Sequence, residues 1–406
     1  MRCFIGSLTF AACGYLGSRV IVLLIGTMCA YTSLACLLSL VFLHTASGTW
    51  LLPEAASNMT ARFQVDEAAR IKAGNRGTDR RSSSPFISGD DFRLHCPHVC
   101  DETNRCRMHP ENVKNGSCIF VKSDFFEFFA TSVAQRIPGT YVIVSHNGDL
   151  STPDGQTDAG RIQMSKYMTS HILDAEYKAG RLLAHYGQNL WWRNVTIGSP
   201  RPPYLHCLPI GLETRQYNVG KNPQVYADAL RRHVINRPPM TKGERTKRPL
   251  LLVAFYPKSR VPDRMKVLNA IGAYTKDGKM PTVVNPFYNL TDLSHIEWLD
   301  AIPAHRFVLA PFGHGLDTHR ISEIHLMGGI PVMRRSTISS CYDDSDNAWL
   351  KGGQRGSLPS VMLDSWQDLN KSRLEDEWRR LVEIPSDRWD WTRLLNDHWT
   401  SRIDGQ

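Results

Sequence analysis

No segment of this sequence repeats, no two cysteines stand in a CxxC spacing, and no lysine or arginine occurs between Arg19 and Arg62. The first absence removes repeat arrays such as solenoids. The second leaves Cys96, Cys100, Cys106, Cys118, Cys207 and Cys341 a poor match to the common zinc patterns, even with His95 and His98 beside them. Nucleic-acid binding is not expected either. The formal net charge is +9, but much of it falls in polar connecting segments, and no basic face with a matching motif is visible. A solvated basic surface is the default reading of such charge, with the remainder suited to an anionic ligand.

The gap in positive charge frames an uncharged run of 24 residues at 20–43. At about 1.5 Å per residue such a helix spans a hydrocarbon core of about 30 Å with some tilt. Arg2 and Arg19 precede it, so residues 1–19 are expected as a cytosolic tail, 20–43 as a single membrane anchor, and the rest across the membrane. A cleaved signal peptide normally has an apolar core of only about 7–15 residues. A second apolar stretch at 3–18 offers a two-pass alternative that leaves the domain in the cytosol. Five Asn-x-Ser/Thr sequons, at Asn58, Asn115, Asn194, Asn289 and Asn370, speak for a lumenal surface instead. So do the cysteines beyond the run, four of them within residues 96–118, which are expected as disulfides whose pairing the sequence does not fix.

Residues 44–95 are polar, basic and without sustained period, and are expected as a stem. The remaining length suffices for two cored domains. Residues 96–237 form the first, with a Phe-rich helix at 124–136 and a strand at 141–145; 238–249 is a linker; 250–372 forms the second, opened by a buried strand at 250–255. Two Trp-rich helical segments fall within 373–406.

The segment 306–333, RFVLAPFGHGLDTHRISEIHLMGGIPVM, is the densest in information. Residues 307–310 are a short apolar run, as for a strand buried on both faces. Pro311 ends it, Gly313 and Gly315 permit a sharp turn and close approach to a ligand, and Asp317 or Thr318 caps the next helix. Gly328 and Gly329 stop that helix before a strand at 330–333. A glycine turn opening a helix presents backbone N–H groups and a positive dipole end to an anion such as a phosphate. Arg320 and Glu323 share one helix face, placing a cation and a carboxylate beside that turn. An ordinary strand–turn–helix unit with an Arg–Glu pair is the alternative.

The whole segment resembles the signature of exostosin-type glycosyltransferases (glycosyltransferase family 47), in which Phe-Val-x-x-Pro-x-Gly-x-Gly-x-Asp-x-x-Arg-x-x-Glu precedes a Gly-x-Ile-Pro-Val strand. Three upstream stretches are similar to further elements of that family in the expected order: Ser145-His146-Asn147-Gly148-Asp149, Tyr186-Gly187-Gln188-Asn189 and Leu208-Pro209-Ile210-Gly211-Leu212-Glu213. The resemblance covers residues 140–340 and implies a GT-B-like α/β fold: two Rossmann-like domains with a cleft between them, the donor held mainly by the second, and terminal helices returning to the first. It further implies an enzyme transferring a sugar from a nucleotide-sugar donor to a glycan or glycoprotein acceptor, with inversion; the membrane anchor followed by a stem looks most like a type II Golgi enzyme. The endoplasmic reticulum is the alternative compartment. A non-catalytic glycan- or nucleotide-sugar-binding partner of another transferase is the alternative function.

Such a transfer needs a stabilised diphosphate, a deprotonated acceptor and exclusion of water. Gly313, His314, Gly315, Asp317, Arg320 and Glu323 are the candidate donor-binding residues. The resemblance supports Glu323 as acceptor of ribose hydrogen bonds and gives Arg320 a phosphate or structural role. Lys258, Arg260 and Arg264 follow the first strand of the second domain, where loops line the ligand crevice; plain surface charge explains them as well. His146 and Asp149 are the candidate bases, although their sequence is also ordinary turn chemistry, and Glu213 is held in reserve. Asp344-Ser345-Asp346 has a metal-binding spacing but follows no buried strand, so neither metal nor other cofactor is expected. The helix dipole and basic side chains then carry the leaving-group charge.

Overall fold

The computed structural model describes residues 82–155, 169–192, 201–214, 221–236, 242–255, 261–272, 288–290, 293–342, 357–384 and 388–406. The expected anchor at 20–43 lies outside them; among the described residues no helix is long and apolar enough to cross a membrane.

The described residues form a mixed α/β structure built on two five-stranded parallel sheets. The first comprises β1 (His98–Cys100), β2 (Ser117–Lys122), β3 (Tyr141–His146), β5 (Leu182–Gly187) and β7 (Leu205–Cys207), side by side in that order. Two short strands, β4 (Thr152–Pro153) and β6 (Leu190–Trp191), pair beside it. Side chains alternate between its faces as a strand's period of two dictates. Ile119, Val121, Tyr141 and Ile143 join the larger core, while Cys118, Phe120, Val142 and Val144 enter a smaller one with Phe92, Trp399 and Ile403. Residues 124–136 are helical as the sequence suggests, but split into short 3-10, α and π turns.

The second sheet runs β12 (Val361–Leu363), β11 (Pro331–Arg334), β10 (Phe307–Leu309), β8 (Leu251–Val253) and β9 (Tyr288–Leu290), again all parallel. Numbered from β8 this is the order 2-1-3-4-5, so the connection reverses direction between β8 and β10. In open parallel sheets that reversal opens a crevice at the carboxyl ends of the strands, where ligands bind. The sheets belong to one compact unit and are called the first and second lobes below.

Three segments differ from the sequence reading. Residues 82–95 are not the end of a stem. Phe86, Ile87 and Phe92 are buried, and Gly89–His95 is a helix capped by Ser88. The polar composition that suggested a stem is explained by Asp91, whose carboxylate accepts hydrogen bonds from Ser82, Ser83 and Ser88. Residues 242–246 of the expected linker form a short helix, docked through Thr246 Oγ1, which accepts a hydrogen bond from Trp378 Nε1 at 3.1 Å. Of the terminal helices, Lys371–Val382 stays on the second lobe, where Trp378 meets Phe307 edge-on and Glu375 pairs with Arg306. Asn396–Asp404 lies on the first lobe, its Arg402 carbonyl accepting from Tyr186 Oη at 2.9 Å.

All six cysteines beyond the apolar run are disulfide-bonded. Cys96–Cys118 and Cys100–Cys106 staple the start of the first lobe, and Cys207–Cys341 joins the end of β7 to the turn after β11.

Candidate functional site

A cleft of about 690 Å³ lies between the lobes, at the β8/β10 reversal. That volume is within the ordinary range for small-molecule sites. The second lobe contributes Arg264, the turn Gly313–Gly315 and residues 317–320; the first contributes Lys122, Asp124, residues 147–150, Gln188, Ile210 and Glu213; Lys221 stands between them.

The second-lobe wall is cationic. β10 ends at Pro311, and Phe312 N–H donates to the buried carboxylate of Asp263, which also accepts from Arg334 and Trp366. The start of the turn is thereby fixed to the helix Pro262–Ala270, whose next residue, Arg264, faces the cleft. The helix His319–Leu326 opens at Thr318, whose side chain makes no capping bond and whose buried hydroxyl has no hydrogen-bond partner. Arg320 donates to the Ala254 carbonyl at the end of β8 and lies 4.5 Å over the ring of Trp298. Burial and the nearby Arg264 guanidinium push its pKa down to about 10, with Glu323 opposing. Burial likewise lowers that of Arg264. Two half-buried like charges thus stand beside an uncapped helix start.

Glu323 does not line this cleft. It sits behind the wall, 1% exposed, accepting from Tyr226 Oη at 2.9 Å and Trp298 Nε1 at 2.8 Å, with Lys221 Nζ at 3.6 Å. Burial raises its pKa, but Lys221, His295, Arg320 and His319 outweigh that and hold it down to about 2. In this structure its carboxylate is taken up by Tyr226, Trp298 and Lys221, with Arg320 acting on it electrostatically, rather than turned toward a ribose in the cleft.

Asp317 is a clasp between the lobes, not a helix cap. Its carboxylate accepts from Ile210 N–H at 2.8 Å in the first lobe, from Tyr342 Oη, and from Thr318 N–H; its own N–H donates to Asn189 Oδ1 at 2.7 Å. Burial pushes its pKa up to about 6 against those bonds. The two glycines of the turn also divide their duties differently from the sequence reading. Neither has positive φ. A Cβ on Gly315 would collide with the Asn189 amide, whereas one on Gly313 would meet only Thr318 Cγ2 at 3.6 Å. Gly315 serves the approach of the first lobe rather than that of a ligand. His314, between them, is exposed on the cleft.

On the first-lobe wall the turn after β3 is held by its neighbours. Asn147 has φ 62°, and its N–H donates to Gln188 Oε1. The Gly148 carbonyl accepts from Gln188 and Asn189, and Asn147 Nδ2 donates to Asp90. His146 is 1% exposed. Its Nδ1 accepts from Asn147 N–H at 2.8 Å, so Nε2 carries the proton and donates to the Pro209 carbonyl at 3.2 Å. With both nitrogens committed it is scaffold, and the reading of His146 as base is corrected. Asp149 does face the cleft and is exposed. Glu213 is buried on the same wall, its loop reached through Gly211, which has φ 71° and packs against the Ile87 carbonyl where a side chain would collide.

The sequence reading missed Lys221, Asp263 and Tyr342. Lys221 and Tyr342 lie outside the recognisable motifs, and Asn189 was noted without its partner. Lys258 and Arg260, together with Asp344 and Asp346, lie outside the described residues, among which no group of three or more His, Cys, Asp or Glu side chains is arranged to hold a metal.

No family model matches the chain, and no curated protein matches it. A solved structure of a variant of the wall teichoic acid polymerase TagF is similar at 8% identity, covering 85% of this chain and 96% of that one, with a TM-score of 0.22. A likeness that low carries no argument.

Proposed function

We propose that this chain is a glycosyltransferase of exostosin type with a GT-B arrangement, moving a sugar from a nucleotide-sugar donor to a glycan or glycoprotein acceptor with inversion. The observation that carries the reading is the pairing of Arg264 and Arg320. Each is half-buried, both line the cleft, Arg264 lowers the pKa of Arg320, and Arg320 lies in the first turn of a helix whose N-cap makes no side-chain bond. Two partly desolvated guanidiniums beside a helix N-terminus favour an anion between them, and the oxygens of a diphosphate can accept bidentate hydrogen bonds from their planar forks. Lys221, oriented by Glu323, adds a third cation. The opposite wall offers carboxylates, Asp149 and Glu213, suited to an acceptor hydroxyl. The four motifs of the sequence resemblance meet at this one cleft, which supports the family assignment.

In this reading Arg264, Arg320, Lys221 and the helix dipole meet the leaving-group charge, and no divalent ion is required. The type II, lumenal Golgi placement is proposed from the uncharged run at 20–43 and the sequons, and the three disulfides favour an oxidising compartment. Thermal-shift titration with UDP, GDP and CMP tests the reading. A ligand at 100 times its dissociation constant stabilises by about 2.7 kcal/mol. One nucleoside diphosphate is expected to do so in wild type and much less in Arg320→Met, with transfer persisting in EDTA. Stabilisation by none of them removes the proposal.

A further inference from the structure

Glu213 and His319 meet across the cleft in an arrangement that is one proton short. His319 is the first residue of the helix His319–Leu326, and Glu213 ends the first-lobe segment held by Asp317. His319 Nδ1 lies 2.9 Å from the Gly211 carbonyl oxygen. A carbonyl only accepts, so Nδ1 carries hydrogen and Nε2 of the neutral ring offers a lone pair. That lone pair faces Glu213 Oε2 at 3.4 Å. Ionised Glu213 and neutral His319 thus point acceptor at acceptor, and the contact becomes attractive once a proton sits between them. Burial lowers the pKa of His319, which keeps that proton off at neutral pH. Glu213 is 5% exposed, and both residues line the cleft.

Two further charged groups act on the His319 ring in opposite senses. Lys221 disfavours the imidazolium from one side, and Glu323, one turn along the helix, favours it. Both are already engaged with each other. The other candidates are less suited. His146 has both nitrogens bound within the first lobe, and Asp149 is exposed to the water that a transferase must exclude.

We propose that Glu213 is the catalytic base of the transfer, and that His319 shares the proton it takes. The inference rests on the transferase reading above. The acceptor hydroxyl gives its proton to the Glu213 carboxylate as its oxygen bonds to the anomeric carbon. The bond from that carbon to the donor's phosphate oxygen breaks, its electron pair leaving with the nucleoside diphosphate. The proton, held between Glu213 Oε2 and His319 Nε2, passes to water when the products depart. His319 also stands at the helix start that faces the diphosphate, so base and leaving-group site are coupled through one residue.

The test uses the purified full-length chain in detergent, the nucleoside diphosphate that stabilises it, and single-turnover release of that diphosphate from the corresponding nucleotide sugar. Glu213→Gln is expected to bind the diphosphate within about twofold of wild type and to melt near it, while the rate falls by about 10²–10⁴-fold, the usual cost of a lost general base. In Glu213→Ala, added formate is expected to restore part of the rate, which a packing role does not allow. His319→Asn keeps a donor for the Gly211 carbonyl and is expected to shift the acid limb of the pH–rate profile with a smaller rate loss. Full single-turnover rate in Glu213→Gln, or a loss that tracks melting temperature and ignores formate, overturns the assignment while leaving the transferase reading intact. If wild type neither binds a nucleoside diphosphate nor releases one, the transferase reading fails and this inference with it.

Discussion

Replacing Cys207 and Cys341 together by serine removes a covalent tie between the lobes, and the loop it closes is long. The chain-entropy model gives about 5 kcal/mol for the 134-residue separation of Cys207 and Cys341, against about 3.4 for the 22 residues between Cys96 and Cys118 and about 2.2 for the 6 between Cys100 and Cys106. The first and last therefore differ by about 3 kcal/mol. The Cys207–Cys341 pair also brackets the clasp. Ile210 and Tyr342, the partners of Asp317, lie within three residues of the two cysteines. Cleaving the tie is therefore expected to loosen the cleft as well as the fold. Paired Cys→Ser variants of each bridge, compared by denaturant unfolding and melting, should rank in the order of loop length. At about 2–4 °C per kcal/mol the cross-lobe variant should melt roughly 10–20 °C lower. It should also lose most of its stabilisation by the nucleoside diphosphate. The reasoning is refuted if this variant loses no more stability than the Cys100–Cys106 one, because loop closure would then not be the dominant effect.

Gly315→Ala forces a Cβ into the Asn189 amide and is expected to cost about 1–3 kcal/mol by overpacking, whereas Gly313→Ala, with only Thr318 Cγ2 at 3.6 Å, should be tolerated; equal melting temperatures would contradict the close-approach argument. Glu323→Gln removes the charge that holds Lys221 and Arg320 and should destabilise by about 3 kcal/mol at neutral pH. Because burial is outweighed and the folded pKa of Glu323 lies at about 2, below its ordinary 4.5, this stability is present above pH 4.5 and lost as pH falls through 2; a variant as stable as wild type would return Glu323 to a ligand-facing role. Asp317 titrates in the opposite sense. Its folded pKa of about 6 exceeds the ordinary 3.8, so its contribution is fully present below pH 3.8 and lost as pH rises through 6. The stability of wild type relative to Asp317→Asn should accordingly be greater at pH 4 than at pH 7 by up to about 3 kcal/mol, and a pH-independent difference measured by urea unfolding would show that the clasp does not titrate.

Residue pattern alone gave the strand–turn–helix geometry of the second-lobe wall, whereas the two-domain α/β layout was legible only through the family resemblance. Residues 307–310 are apolar and the strand Phe307–Leu309 is central; Gly328 and Gly329 stop the helix that Arg320 and Glu323 share. These are short-range matters of burial, period and turn chemistry, and neighbours in sequence decide them. What the sequence did not hold was which groups meet across the cleft. Asp317 finds Ile210 at a separation of 107 residues and Asn189 at 128; Glu323 finds Tyr226 at 97. No local pattern encodes such contacts, so a buried clasp, a buried cation anchor and a ligand carboxylate all read alike as an acid near a glycine turn. For the same reason His146 looked like a base until its Nε2 was seen to be bound by the Pro209 carbonyl, 63 residues away, and Cys207 had no visible partner until it met Cys341, 134 residues on. The tertiary structure decided these because the energy of a buried polar group depends on the partners that satisfy it, and here those partners come from the opposite lobe or from distant strands.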